Sequence, residues 1–257
     1  MAISIQKANF WKRISAYLLD FILAAILTVG FGAVLSAVVN YDSHLDKYSA
    51  IQQSYIEKYG LDVEISDEEY GKLTDEQKQP YIEADKALRA DPEAKKEMLL
   101  IMELSLVIIS IGILLATAVI HVAVPLLFKN GQTLGKKVFG LAVVRSNCVK
   151  LSKPVMIIRA VLGLYTIETM FPIMLFMMIL FGLLGSVGTM TIGLFFVLQT
   201  CVIAFTQNHT AIHDLLSDTV VVDMSSQRIF ETQEALIEYK QQLHAEEVAK
   251  AENPTQV

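Results

Sequence analysis

The sequence predicts an all-α membrane protein: a four-transmembrane-helix bundle with an extracytoplasmic helical insertion and a small cytoplasmic β element. Three observations predict it. Of the 257 residues 53% are hydrophobic and only 19% are charged; length alone would suggest one or two soluble domains, and the distribution of the apolar residues overrules that prior. The apolar residues gather in long runs: no ionised residue lies between Phe21 and Tyr41, only His121 between Leu104 and Phe128, and only Glu168 between Ala160 and Phe205. Each run meets the roughly 20 apolar residues that a bilayer span needs. Buried helices of soluble proteins run about 8–20 residues and alternate with charged segments, which these runs do not.

Residues 1–9 form a cytoplasmic N-terminus and residues 10–39 the first span. Lys7, Lys12 and Arg13 open it and place its start in the cytoplasm. The run is too long, and lacks the small-residue site, for a cleavable signal, so it is expected to act as an uncleaved anchor. Residues 40–97 form an extracytoplasmic acidic insertion. From 42 to 97 it carries 15 Asp/Glu against 8 Lys/Arg and is punctuated by Gly60, Gly71, Pro80 and Asp91-Pro92, the composition of a polar, helix-prone segment.

The second span covers 98–128. It returns to a basic cytoplasmic loop, 129–159, with seven Lys/Arg and no acid, and this asymmetry sets the orientation. The run from Ala160 to Phe205 has 46 residues. As one helix it would measure roughly 69 Å, about twice a hydrocarbon core, so it must fold back. Gly182, Gly185 and Gly188 can supply the reversal, giving a third span at 160–181 and a fourth at 190–206. Four spans leave both termini in the cytoplasm, with residues 207–257 as the tail.

Leu141–Val144, Val149–Leu151 and Thr219–Asp223 are strand-like, the first two flanking a polar turn at Arg145-Ser146-Asn147. In the tail, Ile229, Phe230, Leu236, Ile237 and Leu243 make a broken helical stripe, that of a solvated helix or partly disordered end, or of a helix that binds a partner. No internal repeat is evident, so the inverted repeats of many secondary transporters are missing.

Ionisable groups inside lipid are costly, which makes Asp20, His121 and Glu168 functional candidates. Asp20 lies 7 residues beyond Arg13, His121 lies 8 before Lys129, Glu168 lies 9 after Arg159, and Gln199 lies 9 before Asn208. At about 1.5 Å per residue all four fall roughly 10–14 Å below one interface, an intramembrane polar layer to which every span contributes. Coupled carboxylates and an imidazole can exchange a proton for a cation. The same groups can instead simply hold the helices together. Arg13 and Asp20 share a helix face but lie about 10 Å apart along it, so their partners must come from elsewhere.

Gly131-Gln132-Thr133-Leu134-Gly135-Lys136-Lys137 resembles a phosphate loop only superficially: three residues separate its glycines, and Lys137 stands where Ser or Thr is required. It is expected to be a turn and a basic interfacial helix, with Leu134, Val138 and Phe139 entering the membrane boundary and Lys136 and Lys137 reaching headgroups. Gly131, Thr133, Gly135, Lys136 and Gly140 are the residues singled out in this loop. His209, His213, Asp214 and Asp218 cluster beyond the fourth span, but without a zincin glutamate or a further His/Cys pair no metal site is expected. No nucleophile elbow is present, Cys148 and Cys201 offer no disulfide framework, and no enzymatic activity, cofactor or nucleic-acid partner is expected.

Three blocks carry a family resemblance: Phe10-Trp11-Lys12-Arg13-Ile14-Ser15-Ala16-Tyr17-Leu18-Leu19-Asp20, then Gly131 to Leu141, then His213-Asp214-Leu215-Leu216-Ser217-Asp218 running into Thr219–Val222. In that order they resemble the RDD family, over about residues 8–223. The family is named for one arginine and two aspartates, which the resemblance maps onto Arg13, Asp20 and Asp214. It implies a multi-span membrane domain, with transport proposed and sodium–proton exchange attributed to some members. The acidic insertion and the charged tail depart from the family pattern.

The expected function is non-enzymatic: transport of a small ion or solute, including cation–proton exchange, or service as a subunit of a transport assembly. Four spans are few for a pore, so the expected partners are the lipid bilayer and either further copies of the chain or another membrane protein. The alternative is a membrane scaffold or regulatory partner, in which the polar residues only keep the helices in register.

Overall fold

The computed structural model describes residues 5–6, 8–62, 65–128, 131–180, 182–206 and 210–252; Lys129, Phe181, Asn208 and His209 lie outside them. Two compact units emerge, one of Thr28–Gly112 and one of Met1–Leu27 with Ile113–Val257. Among the described residues four helices are long and apolar enough to cross a membrane, as a multi-pass membrane protein requires: α1 (Phe10–Val38) and three more described below.

In the first unit, the second part of α1 is followed by α2 (Tyr41–Tyr59), α3 (Asp67–Lys72), α4 (Asp75–Ala90) and the start of α5 (Pro92–Phe128). Local chemistry sets these boundaries. Gly60, at φ 62°, ends α2 with its amide on the Ile56 and Glu57 carbonyls. Ser66 and Thr74 open α3 and α4 through reciprocal capping boxes with Glu69 and Gln77. Asp91 accepts the Glu93 and Ala94 amides, and Pro92 then starts α5 six residues before the expected 98. Gly71 and Pro80 do not punctuate the insertion but lie inside α3 and α4, where the capping boxes fix the helix starts ahead of them. Tyr55 donates to Asp91, and His44 Nδ1 lies 2.7 Å from Glu97. Gly112 of α5 is close-packed on the α1 backbone, where an added Cβ would sit 3.3 Å from the Thr28 carbonyl oxygen.

The second unit holds the first part of α1, the rest of α5, α6 (Leu134–Val138), β1 (Leu141–Arg145), α7 (Lys153–Leu180), α8 (Gly185–Phe205), α9 (Ile212–Leu216), β2 (Thr219–Asp223) and α10 (Gln233–Glu252). The two strands pair antiparallel, Leu141 opposite Asp223 and Arg145 opposite Thr219. Both faces of the ribbon are covered, which suits its unbroken valines. Leu141 and Val143 pack with Ala8, Ala16 and Val221, while Ala142 and Val144 pack with Val220, Val222, Ile5 and Ile229. The predicted polar turn follows β1: Asn147 Oδ1 accepts the Val149 amide, and Cys148 adopts φ 66°. Leu236 docks the start of α10 on Cys148, Val149 and Phe230.

The long apolar run does reverse direction. Gly182 and Gly185 take left-handed conformations at the turn. Gly188 serves differently: it lies within α8, where a Cβ would come within 2.6 Å of Ile179. α7 begins at Lys153, not 160, with Pro154 in its first turn, so the end of the expected basic loop is helix; α8 begins at 185 instead of 190. Two stretches are wound as π-helix, Ala118–Ala123 in α5 and Arg159–Met170 in α7. Thr166 and Thr169 donate to carbonyls five residues back, matching the widened ladder. These are the stretches that hold His121, Arg159 and Glu168.

Candidate functional site

The site lies wholly in the second unit, where the first turns of α1 meet the two loop-borne helices α6 and α9. Asp20, on α1, is 2% exposed. It does not face lipid as a bare carboxylate. Thr133, capping α6, donates its hydroxyl to Asp20 Oδ2, the Gly135 amide donates to Oδ1 at 2.8 Å, and the Lys136 ammonium stands 3.9 Å away. This approach requires glycine at 135, because a Cβ there would lie 2.2 Å from the Ala16 carbonyl oxygen and 3.0 Å from Asp20 Cγ. The loop is tied to β1 by Gln132, which donates to the Leu141 carbonyl, and by Gly131, at φ +64° against the Val143 carbonyl. Gly140 turns the chain from α6 into β1 at φ +66°.

Lys136 therefore departs from the expected headgroup role. Its side chain is 13% exposed and turned inward, because the short helix is pinned by Thr133 and Gly135 to α1. Burial, reinforced by the charge of Arg159, pushes its pKa down to about 8, while Asp20 and Asp214 oppose the fall. Lys137 is the exposed lysine of the pair, and its ammonium lies 3.7 Å from the Phe128 ring centroid.

Asp214, on α9, is likewise 2% exposed. Arg159 donates from Nε to its Oδ1 at 2.8 Å, Thr219 donates to the same oxygen at 2.8 Å, and His213 Nε2 lies 3.6 Å from Oδ2. Burial alone would raise the carboxyl pKa, but the guanidinium of Arg159 and the neighbouring His213 hold it well below the usual carboxylate range. Arg159 is thus a buried member of α7, paired with Asp214.

Glu168, about two π-helical turns on, accepts the His213 backbone amide at Oε1, 2.8 Å, and its Oε2 is 2.7 Å from His213 Nδ1. Gly163 permits this closeness, since a Cβ there would meet His213 Cα at 2.6 Å. A cavity of about 290 Å³ opens beside the pair, bounded by Arg13, Arg159, Glu168, Gln199, His213 and Asp214, with Lys136 on its inner wall. Charges of both signs face one space in an otherwise apolar bundle.

The expected polar layer is thus divided. Glu168 and Gln199 line the cavity, Asp20 lies behind Lys136, and His121 keeps a buried Nδ1 with no hydrogen-bond partner. Among the described residues none of these four hydrogen-bonds another. Helix rotation decides this, and spacing along the axis does not report it. Arg159 and Thr219 were not singled out with Asp214, and His213 was grouped with it only in the cluster from which no metal site is expected. The one signal for Arg159 was its place as the last cation before the long apolar run.

The profile of the RDD family matches residues 7–218, most of the chain. The chain belongs to the RDD family. No curated protein and no solved structure matches it. In this RDD protein Arg13, Asp20 and Asp214, the residues mapped onto the family's name, gather in one region. Arg13 and Asp214 both line the cavity, and Lys136 lies in the electrostatic field of all three.

Proposed function

We propose that this RDD protein takes part in moving a small ion or solute across the membrane, through the cavity bounded by α1, α7, α8 and α9, without covalent chemistry. The observation that carries the reading is the Glu168–His213 pair, a carboxylate and an imidazole 2.7 Å apart on the wall of a cavity whose lining mixes charged and apolar residues. Such a pair can hold or release a proton as a charged solute enters or leaves, which is the requirement for coupling solute movement to protons, cation–proton exchange included. The excess of Lys/Arg in residues 129–159 supports a cytoplasmic placement of this end of the bundle, with both termini on the same side.

A second reading, that of a scaffold or regulatory partner, is favoured by Asp20, whose oxygens are already taken by Thr133 and Gly135 as in a structural latch. Proteoliposome flux separates the two. Glu168→Gln is expected to abolish solute-dependent proton movement in protein that remains monodisperse, and Asp20→Asn to lower the yield of folded protein. If both variants reduce assembly and neither changes flux per folded molecule, the scaffold reading replaces transport.

A further inference from the structure

The cavity has an asymmetric charge and exposed apolar residues beside it, and together they specify a ligand class. Facing it are three permanent or near-permanent cations, Arg13, Lys136 and Arg159, against two carboxylates, Asp214 and Glu168. Both carboxylates are engaged, Asp214 by Arg159 and Thr219 and Glu168 by two nitrogens of His213. The third carboxylate, Asp20, is withdrawn behind Lys136 and bonded by Thr133 and Gly135. An entering cation would have to displace one of these partners, whereas an anion can add to donors that the cations still carry: Arg159 commits its Nε to Asp214, and a guanidinium has five N–H donors.

The lining is also apolar: Phe10, Ile14 and Tyr17 of α1 and Ile203 of α8 border the same cavity, and Phe10 is 63% exposed and Tyr17 59%. Charged groups set beside exposed apolar residues of two membrane-spanning helices suit a molecule with a charged head and a hydrocarbon body. Basic pockets between membrane helices bind lipid headgroups on this principle.

We propose that the cavity binds the phosphate headgroup of an anionic phospholipid between Arg13, Lys136 and Arg159, with the acyl chains leaving between α1 and α8. The ligand shares the cavity of the transport reading, and binding does not require that the lipid crosses the membrane. Binding is read by mass and transport by flux, so either can fail alone.

The test is native mass spectrometry of the full chain in detergent, titrated separately with phosphatidylglycerol, with phosphatidylcholine of the same chains, and with inorganic phosphate. One phosphatidylglycerol is expected to bind at least ten-fold more tightly than phosphatidylcholine and to resist displacement by millimolar phosphate. Arg13→Gln and Lys136→Met are each expected to weaken phosphatidylglycerol ten-fold or more, while Lys153→Gln, an exposed cation outside the cavity, leaves it unchanged. Equal binding of the two lipids, or folded Arg13→Gln and Lys136→Met proteins that bind like the unaltered chain, would overturn the proposal. Displacement of the lipid by phosphate would overturn it in favour of a free anion. The comparison of the two lipids uses the unaltered protein, so a variant that misfolds leaves the test standing.

Discussion

The Gly135 amide donates to Asp20 Oδ1 at 2.8 Å, joining two residues 115 apart in sequence, and it does so only because no side chain separates α6 from α1. Gly135→Ala places a methyl 2.2 Å from the Ala16 carbonyl oxygen, a backbone atom that cannot move aside alone. The expected cost is about 1–3 kcal/mol or more. A lowered thermal midpoint and a smaller monodisperse fraction in detergent would show it; an unchanged midpoint would mean the helices are less closely apposed.

Removing one partner of the Arg159–Asp214 pair strands the other in a buried place. Asp214→Ala is expected to destabilise the protein by about 3–5 kcal/mol, and Arg159→Met combined with Asp214→Leu to restore part of the loss. Unfolding of the single and double variants in one detergent checks both statements; a double variant no better than the single would deny the coupling.

Lys136 makes stability depend on alkaline pH. Its folded pKa is pushed down to about 8 by burial and by Arg159, against roughly 10.4 for a lysine in the unfolded chain. Between those values the unfolded chain binds more protons, so this group's contribution to stability rises with pH across that window. The midpoint of the unaltered protein should therefore gain on that of Lys136→Met as pH goes from 7 to 10. A constant difference would place the ammonium in water.

Gly163→Ala tests the support of the Glu168–His213 pair. Its methyl would fall 2.6 Å from His213 Cα and push α9 off α7. Proton flux should fall together with an altered histidine resonance, while the β1–β2 sheet remains protected from hydrogen exchange. An unaffected histidine environment would contradict the close approach.

Cys148 is 1% exposed, and burial pushes its thiol pKa up. In a Cys201→Ala background a maleimide is expected to react with the native chain at least ten-fold more slowly than with the unfolded one. Equal rates would place the turn after β1 in solvent.

Much of the helical framework was legible because lipid imposes length and the absence of charge together, as the runs before Tyr41 and Phe128 show. The strands at 141–145 and 219–223 were legible from their consecutive valines. The helix starts at Pro92 and Lys153 were not, since hydropathy falls there before the helix ends, and only the caps at Asp91 and the proline in the first turn of α7 report them. The three family blocks pointed to Asp20, Thr133, Gly135 and Asp214. What no spacing could disclose was rotation: Lys136 turns inward and Lys137 outward although they are neighbours, and Arg159 ends its run as a buried partner of Asp214.

The pairing of β1 with β2, and of Asp20 with Thr133, also fixes an order of events during synthesis. Asp20 is made more than a hundred residues before Thr133, and Asp214 later still. A chain halted before residue 133 would thus hold a first helix whose carboxylate has neither Thr133 nor Gly135 to bond. The two-stranded ribbon can be completed only once the strand at 219–223 has emerged.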